Sequence, residues 1–179
     1  MKNLSLFILC VSIAACQPSD SCSSWENGDV AYVYINDPDN LFSDEDLEQI
    51  LSGCEEWSDA TDNYITFEVV SSDDTGSLIT FIPDSLENIQ METGHVAYTD
   101  WSLTERGGDI TIPYDVKPAV FRPILLHEIG HALGLDHDHY GTIMYHTSTY
   151  TSEITCDDVC QFCEVNDCYC GDLPPCEKE

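Results

Sequence analysis

The sequence contains very few basic residues. Five Lys and Arg stand against 34 Asp and Glu, which gives a formal net charge of -29 at pH 7. A protein that binds DNA or RNA neutralises phosphates with a basic patch, so this balance excludes nucleic acid as a partner. It also argues against electrostatic docking on an anionic membrane. Acidic stretches such as Asp37-Pro38-Asp39-Asn40 indicate a strongly solvated surface; they could instead bind Ca2+, although they form no defined ligand loop.

The sequence also lacks an apolar run long enough to span a membrane in the mature protein. The run from Leu4 to Ala15 is too short and lies where a secretory signal peptide is expected. It ends in Ile13-Ala14-Ala15-Cys16, which resembles a bacterial lipoprotein signal with Cys16 as the lipidated residue. Ordinary secretory cleavage after Ala14 is the alternative. We therefore predict a signal peptide over 1–15 and an exported protein, lipid-anchored at the outer cell envelope or secreted.

Cysteine, by contrast, is abundant, with ten residues. Cys10 leaves with the signal, so lipidation of Cys16 leaves eight, whereas ordinary cleavage leaves nine. An even number suits a disulfide framework in an exported protein, which favours lipidation. A Cys22–Cys54 disulfide is expected, and it would tie the segment before the first strand to the first helix.

Six of the cysteines lie near the C-terminus. Cys160-x-x-Cys163 and Cys168-x-Cys170 could form a second zinc site, but their spacing matches no standard zinc knuckle. Disulfides are favoured in an exported compartment. Cys156, Cys160 and Cys163 share one side of a predicted helix, so the tail is expected to be stapled back along it. The sequence selects no particular pairing.

Hydrophobic periodicity divides the remaining chain. We predict a lead-in over 16–29, one domain over 30–165 and a Cys-rich tail over 166–179. Five strands are expected, at 30–35, 65–69, 78–82, 94–99 and 109–112. Three helices are expected. The first follows an N-cap at Ser43, and its buried face carries Leu47, Ile50, Leu51, Cys54 and Trp57. The second runs from about Arg122 to Gly134, and the third covers 152–165 with Thr155 as N-cap. This order indicates an α+β class with a mixed sheet.

The candidate chemistry lies in the segment His127-Glu128-Ile129-Gly130-His131-Ala132-Leu133-Gly134-Leu135-Asp136-His137. Residues four apart share one face of a helix, so His127 and His131 can bind the same metal ion. Gly134 lets the chain turn and brings in His137 as a third ligand. Three protein ligands leave the fourth position of zinc to water, the arrangement of a catalytic site. Glu128 is placed to act as general base on that water.

This segment has two other interpretations. In the first, the segment is a buried helix that carries two histidines by chance. Against this, a glutamate, two glycines and a third histidine all fall at the offsets that a zinc site requires. In the second, His139 replaces His137 as third ligand. The spacing from Gly134 favours His137 and leaves His139 facing solvent.

His-Glu-x-x-His-x-x-Gly-x-x-His followed by a methionine turn is similar to the metzincin signature. The turn is Gly141-Thr142-Ile143-Met144-Tyr145, and the resemblance implies that Met144 forms an apolar floor beneath the metal without binding it. Within the metzincins, the chain most resembles the matrixins, the matrix-metalloproteinase-like peptidases of family M10. Gly94-His95-Val96-Ala97-Tyr98 is similar to their edge strand. The resemblance implies a twisted mixed sheet with a long helix behind it, an active-site helix, the Met-turn and a closing helix.

The same resemblance implies how substrate binds. The strand with Val96 and Ala97 would pair antiparallel with an extended peptide, and Tyr145 would line the primary specificity pocket. His146 stands where proline is usual, so it is expected to reshape that pocket, and His95 is a further candidate for the cleft. The prediction is a monomeric endopeptidase with one catalytic Zn2+, acting on extracellular proteins or peptides. The alternative is a zinc-containing cell-surface binding module without proteolysis.

Overall fold

Five β-strands form one mixed sheet in the computed structural model, and helices pack against it. The structure describes residues 24–72, 78–100, 106–146, 151–174 and 176. In chain order the elements are β1 (Asp29–Ile35), α1 (Asp44–Ala60), β2 (Ile65–Val70), β3 (Leu78–Asp84), α2 (Leu86–Thr93), β4 (Tyr98–Asp100), β5 (Gly108–Pro113), α3 (Pro118–Ala132) and α4 (Cys156–Asn166), followed by a 3-10 turn at Cys170–Asp172. The predicted signal peptide 1–15, Cys16 and Cys22 lie outside the described residues. Within those residues, no helix is both long and apolar enough to cross a membrane.

The strand order is β2-β1-β3-β5-β4. β1 pairs in parallel with β2 and β3, and β3 pairs in parallel with β5. β4 runs antiparallel to β5 at one edge of the sheet. The predicted α+β class with a mixed sheet is therefore confirmed. Because β4 is an edge strand, one of its sides has no strand neighbour among the described residues.

Helix α1 begins at the cap predicted from the sequence. The Ser43 hydroxyl accepts a hydrogen bond from the Asp46 amide at 3.2 Å, and the Asp46 carboxylate accepts one from the Ser43 amide at 2.9 Å. Trp57 is fully buried, and its indole Nε1 donates to the Leu126 carbonyl at 3.0 Å, which joins α1 to α3. The prediction was wrong for Leu51, which is 48% exposed. It lies near the edge strand β2, where Val69 is also exposed, so the sheet does not extend far enough to cover it.

The predicted strand over 94–99 begins too early. Residues 86–93 form the short helix α2, capped by the Ser85 hydroxyl, which accepts from the Asn88 amide at 3.2 Å. Gly94 ends this helix with φ 78°, a left-handed conformation that glycine adopts at little cost. The strand itself starts only at Tyr98. Val96 and Ala97 therefore precede β4 and are not part of it.

Helix α3 starts one turn earlier than predicted. Pro118 occupies the first turn, where its missing N–H and fixed φ are tolerated, and Pro123 lies inside the helix. The predicted end is confirmed, because Leu133 caps the helix and Gly134 follows with φ 96°. This turn separates the first two histidines of the motif from the third.

The tail is stapled along α4, as predicted. Thr155 caps the helix in a capping box with Asp158. Three disulfides connect the helix with the residues that follow it: Cys156–Cys176, Cys160–Cys170 and Cys163–Cys168. Cys22, the partner expected for Cys54, lies outside the described residues; within them Cys54 is a free thiol. Its position on the core-facing side of α1 leaves it only 4% exposed.

Candidate metal centre and active site

Three imidazoles converge at the end of α3. The Nε2 atom of His131 lies 3.1 Å from Nε2 of His127 and 3.3 Å from Nε2 of His137. Zinc binds imidazole nitrogen at about 2.0–2.1 Å, and two corners of such a tetrahedron lie about 3.3–3.4 Å apart. The three nitrogens are thus spaced as ligands of one tetrahedral zinc ion. The donor set, three neutral imidazole nitrogens, also suits zinc.

Backbone carbonyls fix the orientation of the first two imidazoles. Nδ1 of His127 donates to the Ile143 carbonyl at 2.8 Å, and Nδ1 of His131 donates to the Leu135 carbonyl at 2.8 Å. Because a carbonyl can only accept, the proton lies on Nδ1 and the Nε2 lone pair faces the centre. Burial lowers the pKa of His127 to about 3 and that of His131 to about 4. Both rings are therefore neutral at physiological pH, as metal ligands must be.

Glu128 follows the first histidine and is 5% exposed. Its Oε2 atom accepts a hydrogen bond from the hydroxyl of Thr99, on β4, at 2.7 Å. Burial raises the pKa of Glu128 to about 7, while the Thr99 hydrogen bond lowers it. A carboxyl with a pKa near 7 can accept and release a proton at neutral pH.

The middle of the Met-turn, Thr142 to Met144, is buried, and the turn is hydrogen-bonded to both halves of the histidine motif. The Ile143 carbonyl holds His127, and the Met144 carbonyl accepts from the amide of Asp138, the residue after His137, at 2.9 Å. Met144 is fully buried and lies against Gly130 of the motif. That Met144 is the floor beneath the metal remains a prediction. The turn thus links His127, on α3, to the segment that carries His137.

Asp158 supports this turn from α4, a role that the sequence did not reveal. Its carboxylate is fully buried and accepts from the amides of Ile143 at 3.1 Å and Met144 at 3.2 Å. The same carboxylate accepts from the Thr155 amide at 2.8 Å and the Thr155 hydroxyl at 2.6 Å. In the sequence, Asp158 stands out only as an acidic residue at a helix N-terminus.

The predicted cleft residues come from two segments of the chain. Val96 is 39% exposed and Ala97 is buried, just before β4. In the second segment, the ring of His146 lies 6.3 Å from that of His137 and 4.5 Å from that of Tyr145. Their roles in binding substrate stay predictions. The rest of the predicted pocket wall, residues 147–150, lies outside the described residues.

His139 is turned away from the cluster. Its Nδ1 lies 2.9 Å from the Asp138 carboxylate and its Nε2 lies 3.2 Å from the Asp157 carboxylate. The ring is exposed, as predicted, and the hydrogen bonds to Asp138 raise its pKa. His137 and not His139 therefore completes the cluster.

Within the described residues, two groups of three potential ligands occur: the histidine cluster, and Cys156, Cys160 and Cys176. The cysteines of the second group form disulfides. This agrees with the prediction, which favoured disulfides and not a second zinc site. The Asp37 carboxylate accepts from the amides of Leu41 and Phe42 at 2.8 and 2.9 Å, which gives it a local structural role. Calcium binding remains a prediction.

Comparison with known proteins places the chain in a family. The family model Matrixin, of peptidase family M10, matches residues 24–165. No curated protein matches the chain. Two solved structures of myroilysin are similar. One has 22% sequence identity and a TM-score of 0.45, and the match covers 65% of this chain and 47% of that chain. The other has 21% sequence identity and a TM-score of 0.44, and the match covers 64% of this chain and 52% of that chain. This chain thus spans about half the length of those chains. Since the family model covers most of its length, the chain belongs to the matrixin family.

Proposed function

We propose that this matrixin is a zinc-dependent endopeptidase that hydrolyses peptide bonds in extracellular proteins or peptides, with Glu128 as general base. One observation carries the proposal. Nε2 of His131 lies 3.1 Å from Nε2 of His127 and 3.3 Å from Nε2 of His137, and the residue next to His127 is the buried Glu128. His127, His131 and His137 would hold the metal. This combination of three neutral ligands and an adjacent base is the arrangement of a hydrolytic metal site.

The residues around the centre divide the chemical work. When bound, zinc supplies Lewis acidity, which polarises a peptide carbonyl and lowers the pKa of a water molecule from 15.7 to about 7. Glu128 takes a proton from the attacking water and passes it to the leaving amine. Its pKa of about 7, raised by burial, suits both transfers. Burial also keeps bulk water from competing for the carboxylate.

The sheet edge offers a place for an extended substrate. β4 is an edge strand next to α3, and a peptide can add to such an edge through main-chain hydrogen bonds. Val96 and Ala97, immediately before β4, would extend this surface. Tyr145 and His146 would contact the substrate from the opposite side of the centre. The substrate would then lie across the three histidines.

Three disulfides in the tail support an exported protein, since such bonds persist in oxidising compartments. We propose attachment to the outer cell envelope through lipidated Cys16, with secretion after ordinary cleavage as the alternative. The catalytic unit would act as a monomer. Mass spectrometry of the N-terminal peptide from the native source distinguishes a lipidated cysteine from a free terminus.

The decisive experiment replaces the general base. Glu128→Ala should abolish cleavage of a peptide library, while zinc still binds in a one-to-one ratio because all three histidines remain. Glu164→Ala, at an exposed glutamate on α4, is the matched control and should leave cleavage unchanged. Undiminished cleavage by Glu128→Ala would contradict the mechanism. A wild-type protein that binds zinc but cuts no peptide would favour the binding module instead.

A further inference from the structure

Thr99 contacts the Glu128 carboxylate directly. Its hydroxyl oxygen lies 2.7 Å from Oε2 of Glu128 and 3.1 Å from the Glu128 backbone carbonyl. Both neighbours are acceptors, so the hydroxyl is the donor, and it has a single proton to give. Hydrogen bonds to ionised groups are shorter and stronger than those between neutral groups. The shorter contact, to the carboxylate, is therefore the one that holds the proton when Glu128 is ionised.

The sheet register places this hydroxyl. Thr99 is the middle residue of β4 and lies opposite Ile110 on β5, which is fully buried. Directly paired residues of antiparallel strands project from the same face of a sheet. The Thr99 side chain therefore shares a face with a core residue, on the side where α3 packs against β4. The Thr99 hydrogen bond thus joins β4, the strand proposed to bind substrate, to Glu128 on α3.

We propose that Thr99 is a positioning residue for Glu128, an inference that rests on the function proposed above. The hydroxyl holds Oε2 and so leaves Oε1 as the oxygen that accepts the proton from water. Among the described residues, no donor is found for Oε1, whereas Oε2 has Thr99. A glutamate side chain has three rotatable bonds, and this hydrogen bond restricts them in a site that needs a defined direction for proton transfer.

The contact is maintained through the reaction. In the first transfer, an O–H bond of water breaks and an Oε1–H bond forms, and the Thr99 proton stays on its own oxygen. Oε2 then becomes the carbonyl oxygen of a carboxylic acid and still accepts from Thr99. The second transfer, from Oε1 to the leaving amine, restores the carboxylate. No rearrangement at Thr99 is needed in either step.

Three variants of the full-length, zinc-loaded protein test the proposal. Thr99→Val keeps the side-chain shape and removes the hydroxyl, whereas Thr99→Ser keeps the hydroxyl and removes the methyl group. Thr111→Val, at a buried threonine of β5, controls for the same chemical change on the neighbouring strand. A hydrogen bond to a charged group lost in this way corresponds to roughly a 10- to 100-fold lower kcat for Thr99→Val. We expect KM and zinc stoichiometry to stay close to wild type, kcat to recover in Thr99→Ser, and Thr111→Val to retain wild-type kcat. Removing the donor of a buried carboxylate also lowers thermal stability, so the melting temperature should fall in Thr99→Val and recover in Thr99→Ser together with kcat.

A second measurement does not depend on activity. In protein labelled with 13C at the glutamate carboxyl, the Glu128 signal is the one missing from Glu128→Gln. At fixed pH, with and without zinc, Thr99→Val should shift this signal and Thr99→Ser should return it towards its wild-type position. An unchanged signal in Thr99→Val would overturn the contact. Wild-type kcat in Thr99→Val, or a kcat in Thr99→Ser as low as in Thr99→Val, would overturn the positioning role.

These measurements distinguish a failure of the positioning role of Thr99 from a failure of the endopeptidase function. If the wild-type protein cuts no peptide, the endopeptidase function fails and the catalytic consequence of Thr99 fails with it. The carboxyl signal would still show whether Thr99 holds Glu128. If the wild-type protein is active and Thr99→Val is equally active, the endopeptidase function stands and only the positioning role is lost.

Discussion

Gly130 and Met144 are in contact so close that no side chain fits between them. A Cβ built on Gly130 would overlap Sδ of Met144 and would lie 3.2 Å from Cζ2 of Trp57. Gly130 lies between the two histidines of α3, and Met144 is fully buried in the turn whose carbonyls hold His127 and Asp138. The space left by glycine therefore sets how closely the Met-turn approaches the metal centre.

We expect Gly130→Ala to displace Met144 and loosen the centre. Overpacking a core costs about 1–3 kcal/mol of unfolding free energy, and zinc affinity should fall as well. Gly53→Ala is the matched control, because it also lies inside a helix but its nearest neighbour is Cδ2 of the Leu125 side chain, at 3.0 Å. Urea unfolding and zinc competition titrations measure both effects. Equal behaviour of the two variants would contradict this account of Gly130.

A second prediction concerns Asp158, which links α4 to the Met-turn. Asp158→Asn replaces a carboxylate oxygen with a donor that faces backbone amides, so the bonds to Ile143 and Met144 cannot both survive. Each hydrogen bond to a charged group contributes about 1.5–3 kcal/mol, so urea unfolding should show a loss of at least this size. Because the Ile143 carbonyl orients His127, we also expect zinc affinity to fall roughly 10- to 100-fold.

The neighbouring residue provides the control for that variant. Asp157 has a side chain 62% exposed, and among the described residues its ion pair is with the exposed His139. Asp157→Asn should therefore change the free energy of unfolding by no more than about 0.5 kcal/mol and leave zinc binding intact. A loss of stability in Asp157→Asn as large as in Asp158→Asn would indicate a general effect of charge on the α4 N-terminus.

The third prediction concerns the buried thiol of Cys54. Burial raises its pKa from 9.0 to about 12, so the folded protein keeps the thiol proton at pH values where the unfolded chain loses it. The folded state then binds more protons than the unfolded state, and this group's contribution to stability is present below pH 9.0 and lost as the pH rises towards 12. We expect the free energy of unfolding to fall more steeply above pH 9.0 in wild type than in Cys54→Ala.

Chemical labelling tests the same thiol at neutral pH. Iodoacetamide reacts with the thiolate, so native Cys54 should remain unmodified at pH 8 and react quickly once urea unfolds the chain. Peptide mapping by mass spectrometry identifies the modified cysteine. Rapid labelling of Cys54 in the native protein would show that the thiol is more accessible than the structure indicates.

The local sequence was sufficient to predict elements whose signals lie within a few residues. The Ser43 and Thr155 caps and the Gly134 turn each depend on nearby side-chain or backbone chemistry, and all three were found as predicted. The histidine spacing likewise predicted the convergence of three Nε2 atoms. Each of these features is determined within about one to three helical turns of chain.

The features that were missed depend on contacts distant in sequence. Helix α2 has only 8 residues, of which Ile89 alone is buried, so the segment is too short for a helical period to stand out. Asp158 and Thr99 resemble an ordinary helix cap and an ordinary strand residue until the fold brings them to Met144 and Glu128. Leu51 is exposed because of where the sheet ends, which its own helix cannot indicate. Sequence periodicity reports which face of an element is apolar, but not what lies opposite it.

The last prediction follows from the charge balance. Of the three basic residues within the described part of the chain, Arg106 is paired with Asp29 and Arg122 with Glu56, which leaves Lys117 at an exposed position. With a net charge of -29, the surface potential is strongly negative, and the exposed Asp100 and Asp136 lie at the end of β4 and beside His137. Such a field raises the association rate of oppositely charged ligands by about 10- to 1,000-fold, and salt weakens it.

We therefore expect cationic peptides to be better substrates than anionic ones. For peptides with the same cleaved bond and flanking lysines or glutamates, kcat/KM should be higher for the lysine peptide at low salt. The difference should arise mainly from association and shrink as ionic strength rises, because exposed charges beyond about 10 Å are screened at 0.1 M salt. Stopped-flow binding and steady-state kinetics over a salt series measure both terms. A preference that persists unchanged at high salt would instead point to a specific contact between a lysine and the cleft.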